Sequence, residues 1–88
     1  MAYWEVIRTD TFLRDLKKLR KINELLVELD KKILKLKGEP ISVGKELHGE
    51  LHLSRSTRLY KKYRLIFQIN NTERKVYLEA IDHRKDIY

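Results

Sequence analysis

Cysteine is absent from this chain of 88 residues, which removes disulfides, thiol nucleophiles and cysteine-based zinc sites together. The simpler setting is intracellular, and a cytoplasmic protein is expected. Long apolar runs are missing too: none approaches the ~18 residues of a membrane span. The opening Met1-Ala2-Tyr3-Trp4-Glu5 lacks the basic-then-apolar pattern of a secretory signal. No membrane partner is expected. There is no Gly-rich phosphate loop and no Ser-His-Asp pattern, so two common chemistries find no support. His48 and His52 flank Gly49 without a third ligand at a recognisable spacing, and no metal site is expected. Low-complexity tracts, linkers and internal repeats are also lacking, so residues 1–88 should form a single domain with one modest core.

What is present is charge of one sign. Twenty Lys and Arg against thirteen Asp and Glu give a formal charge of +7. The excess is uneven: Arg55, Arg58, Lys61, Lys62 and Arg64 follow one another with no acidic residue between them. Such a block attracts polyanions and favours encounter with nucleic acid through counterion release. The alternative is a solvated surface rich in lysine.

Along the chain, Tyr3 to Arg8 reads as a short strand, with Trp4 and Val6 on one side and Glu5 and Ile7 on the other. Thr9 or Asp10 can cap a helix in which Phe12, Leu13, Leu16 and Leu19 share a face, ending near Lys21. Asn23 is the expected cap of a second helix. Its stripe runs Leu26, Leu29, Ile33 and Leu36, widened by Ile22, Leu25 and Leu34, and Gly38 and Pro40 stop it. Both stripes read as core.

After a loop over 39–44, a strand is expected between Leu51 and Tyr60, with alternation disturbed by Arg55 and Thr57. The next is clearer: Tyr63, Leu65, Phe67 and Ile69 alternate with Arg64, Ile66 and Gln68. Asn70-Asn71 starts a turn. In the last strand Val76, Leu78 and Ala80 alternate with Tyr77, Glu79, Ile81 and His83. The order β-α-α-β-β-β predicts an α+β fold, an antiparallel sheet packed against an N-terminal helical hairpin, with the opposite sheet face left to function.

Arg64 falls on the less apolar parity of its strand, so its guanidinium, whose donors match a phosphate, should point away from the helices. A salt bridge to Glu79 is the alternative. A three-residue hairpin loop would place Arg58 beside Arg64 and bury Leu59; a loop of two or four residues would put Leu59 there instead. His83 follows a strand, with Arg84 and Lys85 beside it, and is the histidine best placed for proton transfer. A surface or capping histidine is the other reading.

Taken in order, Leu47-His48-Gly49, Tyr63-Arg64-Leu65-Ile66-Phe67 and Asp82-His83-Arg84-Lys85-Asp86-Ile87-Tyr88 resemble the RelE/ParE toxin superfamily over nearly the whole chain. The resemblance implies a toxin neutralised by an antitoxin encoded alongside. In the RelE branch it implies a ribosome-dependent mRNA endonuclease that needs no metal or other cofactor and leaves a cyclic phosphate and a 5′-hydroxyl. In the ParE branch it implies an inhibitor of DNA gyrase. An inactive member that survives as an antitoxin partner is a further alternative. By resemblance the catalytic set is Arg64, Arg84, His83 and Tyr88, and Arg55, Arg58, Lys61, Lys62 and Lys85 would bind RNA. The RelE branch is the expectation, with ribosome and mRNA as partners.

Overall fold

Thr9 ends the first strand and starts the first helix. In the computed structural model, which describes residues 3–46 and 54–83, β1 (Glu5–Arg8) leads into α1 (Asp10–Leu19). The Thr9 hydroxyl accepts the Phe12 amide at 3.3 Å and donates to the Leu78 carbonyl at 2.6 Å. One side chain thus caps the helix and ties its start to the last strand.

A short connection leads to α2 (Asn23–Gly38). Asn23 lies inside the first turn instead of capping it. The Leu26 amide bonds the Ile22 carbonyl, so Ile22 is the residue at the helix start, and it makes no side-chain cap bond. Ile22 is spent on the core instead, packed against it and half-buried. The buried stripe is Leu25, Leu29, Ile33 and Leu36. Leu26 sits at its edge, and Leu34, at 68% exposure, lies outside it; in α1, Leu13 is likewise exposed and lies outside the buried face expected for that helix. The helix stops where the Glu39 amide bonds the Lys35 carbonyl and Pro40 opens a single 3₁₀ turn over Pro40–Ser42.

The remaining strands are β2 (Lys45–Glu46), β3 (Ser54–Arg58), β4 (Tyr63–Asn70) and β5 (Lys75–His83). Together they form a five-stranded sheet in the order β1-β5-β4-β3-β2. The neighbours β3–β4 and β4–β5 are antiparallel, as expected, and the short β2, which the sequence reading did not include, adds antiparallel to β3. β1 joins β5 in parallel, with Val6 beside Val76, so the sheet is mixed. Beyond Leu78, where β1 ends its pairing, α1 covers the edge: the Asp15 carboxylate accepts the Ile81 amide at 3.0 Å. The core lies between helices and sheet, centred on Phe12, Leu25, Leu36, Leu65, Phe67 and Leu78.

Two local features position everything on the other face. The β3–β4 hairpin closes through Tyr60, Lys61 and Lys62, with the Leu59 amide on the Tyr63 carbonyl and Lys61 in the left-handed region at φ 54°. Leu59 is buried, 1% exposed, and Arg58 stands opposite Arg64. This is the three-residue loop of the two alternatives read from the sequence.

The second feature is a bulge in β5. Ile66 pairs with Ala80 but Phe67 pairs with Leu78, which leaves Glu79 without a register partner. The strict alternation read from the sequence therefore breaks at Glu79. Ile81, expected on the open face, turns to the core beside Leu65 at 8% exposure. Burying an isoleucine is worth about 1.5–3 kcal/mol, against roughly 0.5–1.5 kcal/mol for a ladder hydrogen bond, so the bulge is the favourable arrangement.

Candidate nucleic-acid interface

The sheet face turned away from the helices carries Arg58 from β3, Arg64, Ile66 and Gln68 from β4, and Tyr77, Ala80 and Asp82 from β5. Its most distinctive pairing is Arg58 opposite Arg64. Cβ atoms in such pairs lie about 4.5–5.5 Å apart, and like charges facing one another there are destabilising. An anion between them reverses that cost. Arg58 is exposed and Arg64 half-buried. Neither guanidinium makes a hydrogen bond or ion pair among the described residues. The salt bridge from Arg64 to Glu79 is not formed; the Glu79 carboxylate instead accepts the Ser54 hydroxyl at 2.7 Å.

The other basic residues separate. Arg55 pairs with Phe67 on the helix side, and its guanidinium donates to the carbonyls of Ile41 (3.0 Å), Val43 (3.2 Å) and Gly44 (3.1 Å). It therefore pins the 41–44 segment to β3, on the face opposite Arg58 and Arg64. Lys61 and Lys62 are exposed at the hairpin tip, with the Lys61 ammonium 5.1 Å from the Tyr60 ring centre.

His83 pairs with Tyr63 at the end of β5, and the two rings stack at 4.6 Å with 27° between their planes. Tyr63 and Arg64 are neighbours on a regular stretch of β4, so their side chains leave opposite faces. The imidazole accordingly sits on the helix side and not beside Arg64. Arg84, Lys85 and Tyr88 lie outside the described residues, as do His48 and His52.

Among the described residues, no group of three or more His, Asp or Glu could hold a metal ion. No described helix is long and apolar enough to cross a membrane. Recesses of about 420 Å³, beside Lys32, Lys35 and Thr57, and about 370 Å³, beside Trp4 and Pro40, both flank the 38–44 segment. Neither opens on the Arg58–Arg64 face. A polyanion laid across a sheet needs a charged surface, not an enclosed cavity, so the arginine pair is the stronger candidate.

Sequence reasoning placed Glu79 on this face as the alternative salt-bridge partner of Arg64, and missed Ser54 as the residue its carboxylate meets. Alternation from Tyr77 through Leu78 places Glu79 on this face, and the bulge moves the residues that follow it, Ala80 and Ile81, to the other parity. Ser54 is buried at 5% exposure, and no local signal marks it as the partner of a residue 25 positions away.

A comparison with protein families matches residues 6–88 to the ParE toxin of type II toxin-antitoxin system, parDE. No curated protein sequence matches. Among solved structures, the chain is 37% identical to a chain of the toxin-antitoxin complex RelBE2 from Mycobacterium tuberculosis, covering 98% of this chain and 97% of that one at a TM-score of 0.77. The YoeB/ParE toxin from Agrobacterium tumefaciens is 14% identical, covering 92% and 99% at a TM-score of 0.79. A mutant of the E. coli toxin RelE in the free state is 23% identical, covering 98% and 86% at a TM-score of 0.68. The last two likenesses are of the fold alone.

Proposed function

The chain belongs to the ParE toxin family of type II toxin-antitoxin systems, within the RelE/ParE superfamily, and from that premise we propose that it is a ribosome-dependent mRNA endonuclease held inactive by a cognate antitoxin. The observation that carries this reading is the Arg58–Arg64 pair on the sheet face turned away from the helices, two guanidiniums with no partner among the described residues. A phosphodiester is the ligand such a pair fits.

In the reaction, the ribose 2′-oxygen attacks the adjacent phosphorus in line as its proton leaves. The new O2′–P bond forms while the P–O5′ bond breaks, giving a cyclic phosphate and a 5′-hydroxyl. Arg64, with Arg58 beside it, offsets charge that develops on the non-bridging oxygens. A well-aimed donor of this kind is worth ~2.7–4 kcal/mol in other enzymes. Arg84 and Tyr88 are assigned to the same site on the resemblance of the C-terminal motif. Exposed Lys61 and Lys62 extend the basic surface along the hairpin. His83 enters the proposal only as a group at the rim, since its ring is held on the other face.

The antitoxin is expected to meet this same face with an acidic segment, blocking RNA by occupying its electrostatic footprint. Association should weaken as salt is raised. A complex whose contacts lie only on α1 and α2, leaving Arg64 open, contradicts that mode of neutralisation.

The second reading is inhibition of DNA gyrase, favoured by the family description that matches residues 6–88. Gyrase binding requires no phosphodiester chemistry. Adding the purified protein to a translation reaction and mapping mRNA ends, with a gyrase supercoiling assay alongside, separates the two. Ribosome-dependent cleavage supports the nuclease; cleavage without ribosomes, or gyrase inhibition alone, refutes it.

A further inference from the structure

Resting on the nuclease reading, we infer that Glu79 is the proton acceptor for the attacking 2′-hydroxyl and that Ser54 is the residue that positions it. The argument begins with distance. Ser54 is on β3 and Glu79 on β5, with β4 between them. Neighbouring strands lie about 4.8 Å apart, so the two backbones are separated by roughly 10 Å. The 2.7 Å bond from the Ser54 hydroxyl to the Glu79 carboxylate exists only if the carboxylate lies across β4. It does so on the face Ser54 shares with its register partner Gln68, which is the face of Arg58 and Arg64.

Arg64 and Gln68 are four residues apart on one strand face, about 13 Å at 3.3 Å per residue, so an Arg64 side chain laid along β4 towards Gln68 would bring guanidinium and carboxylate within the span of one sugar-phosphate unit.

Two other described groups serve less well. The His83 ring is on the opposite face. The Tyr77 hydroxyl is bonded to Glu73 at 3.3 Å. Glu79 forms no ion pair among the described residues, although Arg58, Arg64, Gln68, Tyr77 and Asp82 share its face. Its main chain is held as well, the Glu79 carbonyl lying 3.4 Å from the Thr9 hydroxyl. A half-buried carboxylate on a surface meant for a polyanion repels its ligand, and a role in proton transfer accounts for that placement.

The step balances. The 2′-hydroxyl proton passes to the Glu79 carboxylate as the O2′–P bond forms; the P–O5′ bond breaks, and the leaving oxygen takes a proton from water. The hydroxide left behind removes the proton from Glu79 and restores it.

The test is single-turnover cleavage of a defined mRNA on purified ribosomes across pH, with wild type, Glu79→Gln and Ser54→Ala, and melting temperatures for each. Glutamine keeps an oxygen that accepts from Ser54, so the fold is expected to survive. Glu79→Gln should lower the rate at least ~100-fold, abolish the fall in rate on the acid side of the profile and leave ribosome association unchanged. Ser54→Ala should lower the rate less and retain that acid limb. Glu79→Gln cleaving at the wild-type rate with the wild-type profile overturns the assignment while the nuclease reading stands. A loss of activity matched by a fall in melting temperature marks a structural role and overturns it too. Wild type that leaves mRNA intact removes the nuclease reading itself.

Discussion

Tyr63 and His83 stack across β4 and β5 with ring centres 4.6 Å apart, and that contact commits the imidazole to the face opposite Arg64. The bulge at Glu79 is the cause. Without it, His83 would share parity with Tyr77 and stand among the arginines. His83→Ala should therefore lower cleavage by less than ~100-fold, the smallest effect expected of a lost proton-transfer group. It should also cost about 0.5–1 kcal/mol of stability for the lost stack. Rates measured on translating ribosomes beside a urea melt check both. A loss beyond that threshold with unchanged stability would return His83 to the reaction.

Arg64→Ala should abolish cleavage in the same assay and change stability by less than ~1 kcal/mol, because the guanidinium packs against no part of the core and makes no described ion pair. Thermal unfolding with and without the substitution is the control. Inactivity together with a large fall in melting temperature would mean that the side chain supports the sheet.

Much of this arrangement was legible in the chain. The β4 alternation from Tyr63 to Ile69 is strict, so the face of Arg64 followed from period two alone. Burying Leu59 required a three-residue loop, and that loop fixed Arg58 as Arg64's neighbour. Helix existence was equally plain, yet the α2 stripe came out one position away at Leu25 instead of Leu26. Both leucines lie within a stripe wider than the contact, and only packing decides between them. The β5 bulge left no mark in the pattern, because Ala80 and Ile81 are apolar and satisfy either parity. With the bulge unseen, Ile81, His83 and the reach of Glu79 to Ser54 were all misjudged. Arg55 was grouped with Arg58 by proximity in sequence, although an odd spacing puts them on opposite faces.

Arg58 is exposed on the open face, and its contribution to RNA binding should be that of one phosphate contact. For a single-stranded RNA oligomer, Arg58→Ala should weaken affinity and reduce the slope of log K against log salt by about 0.7. Binding measured by fluorescence anisotropy at several salt concentrations gives the slope directly. An unchanged slope would place the phosphate elsewhere on the sheet.

Arg55 should behave in the opposite way. Its guanidinium reaches the carbonyls of Ile41, Val43 and Gly44 with a side chain only 16% exposed. The segment it holds runs tight against β3. Gly44 sits at φ +71°, and a Cβ there would come within 2.2 Å of the Ser56 carbonyl oxygen, so the approach tolerates no side chain. Removing the guanidinium leaves these carbonyls without their donor beside the strand pair β2–β3. Hydrogen bonds to a charged group contribute about 1.5–3 kcal/mol, whereas the 3.9 Å contact with Glu46, 73% exposed, adds little. Arg55→Ala should thus cost about 2–3 kcal/mol, which in a domain of this size lowers the melting temperature by roughly 10 °C or more. RNA affinity of the folded protein should hardly move. Weakened RNA binding at an unchanged melting temperature would show instead that the guanidinium leaves its carbonyls to meet the phosphate.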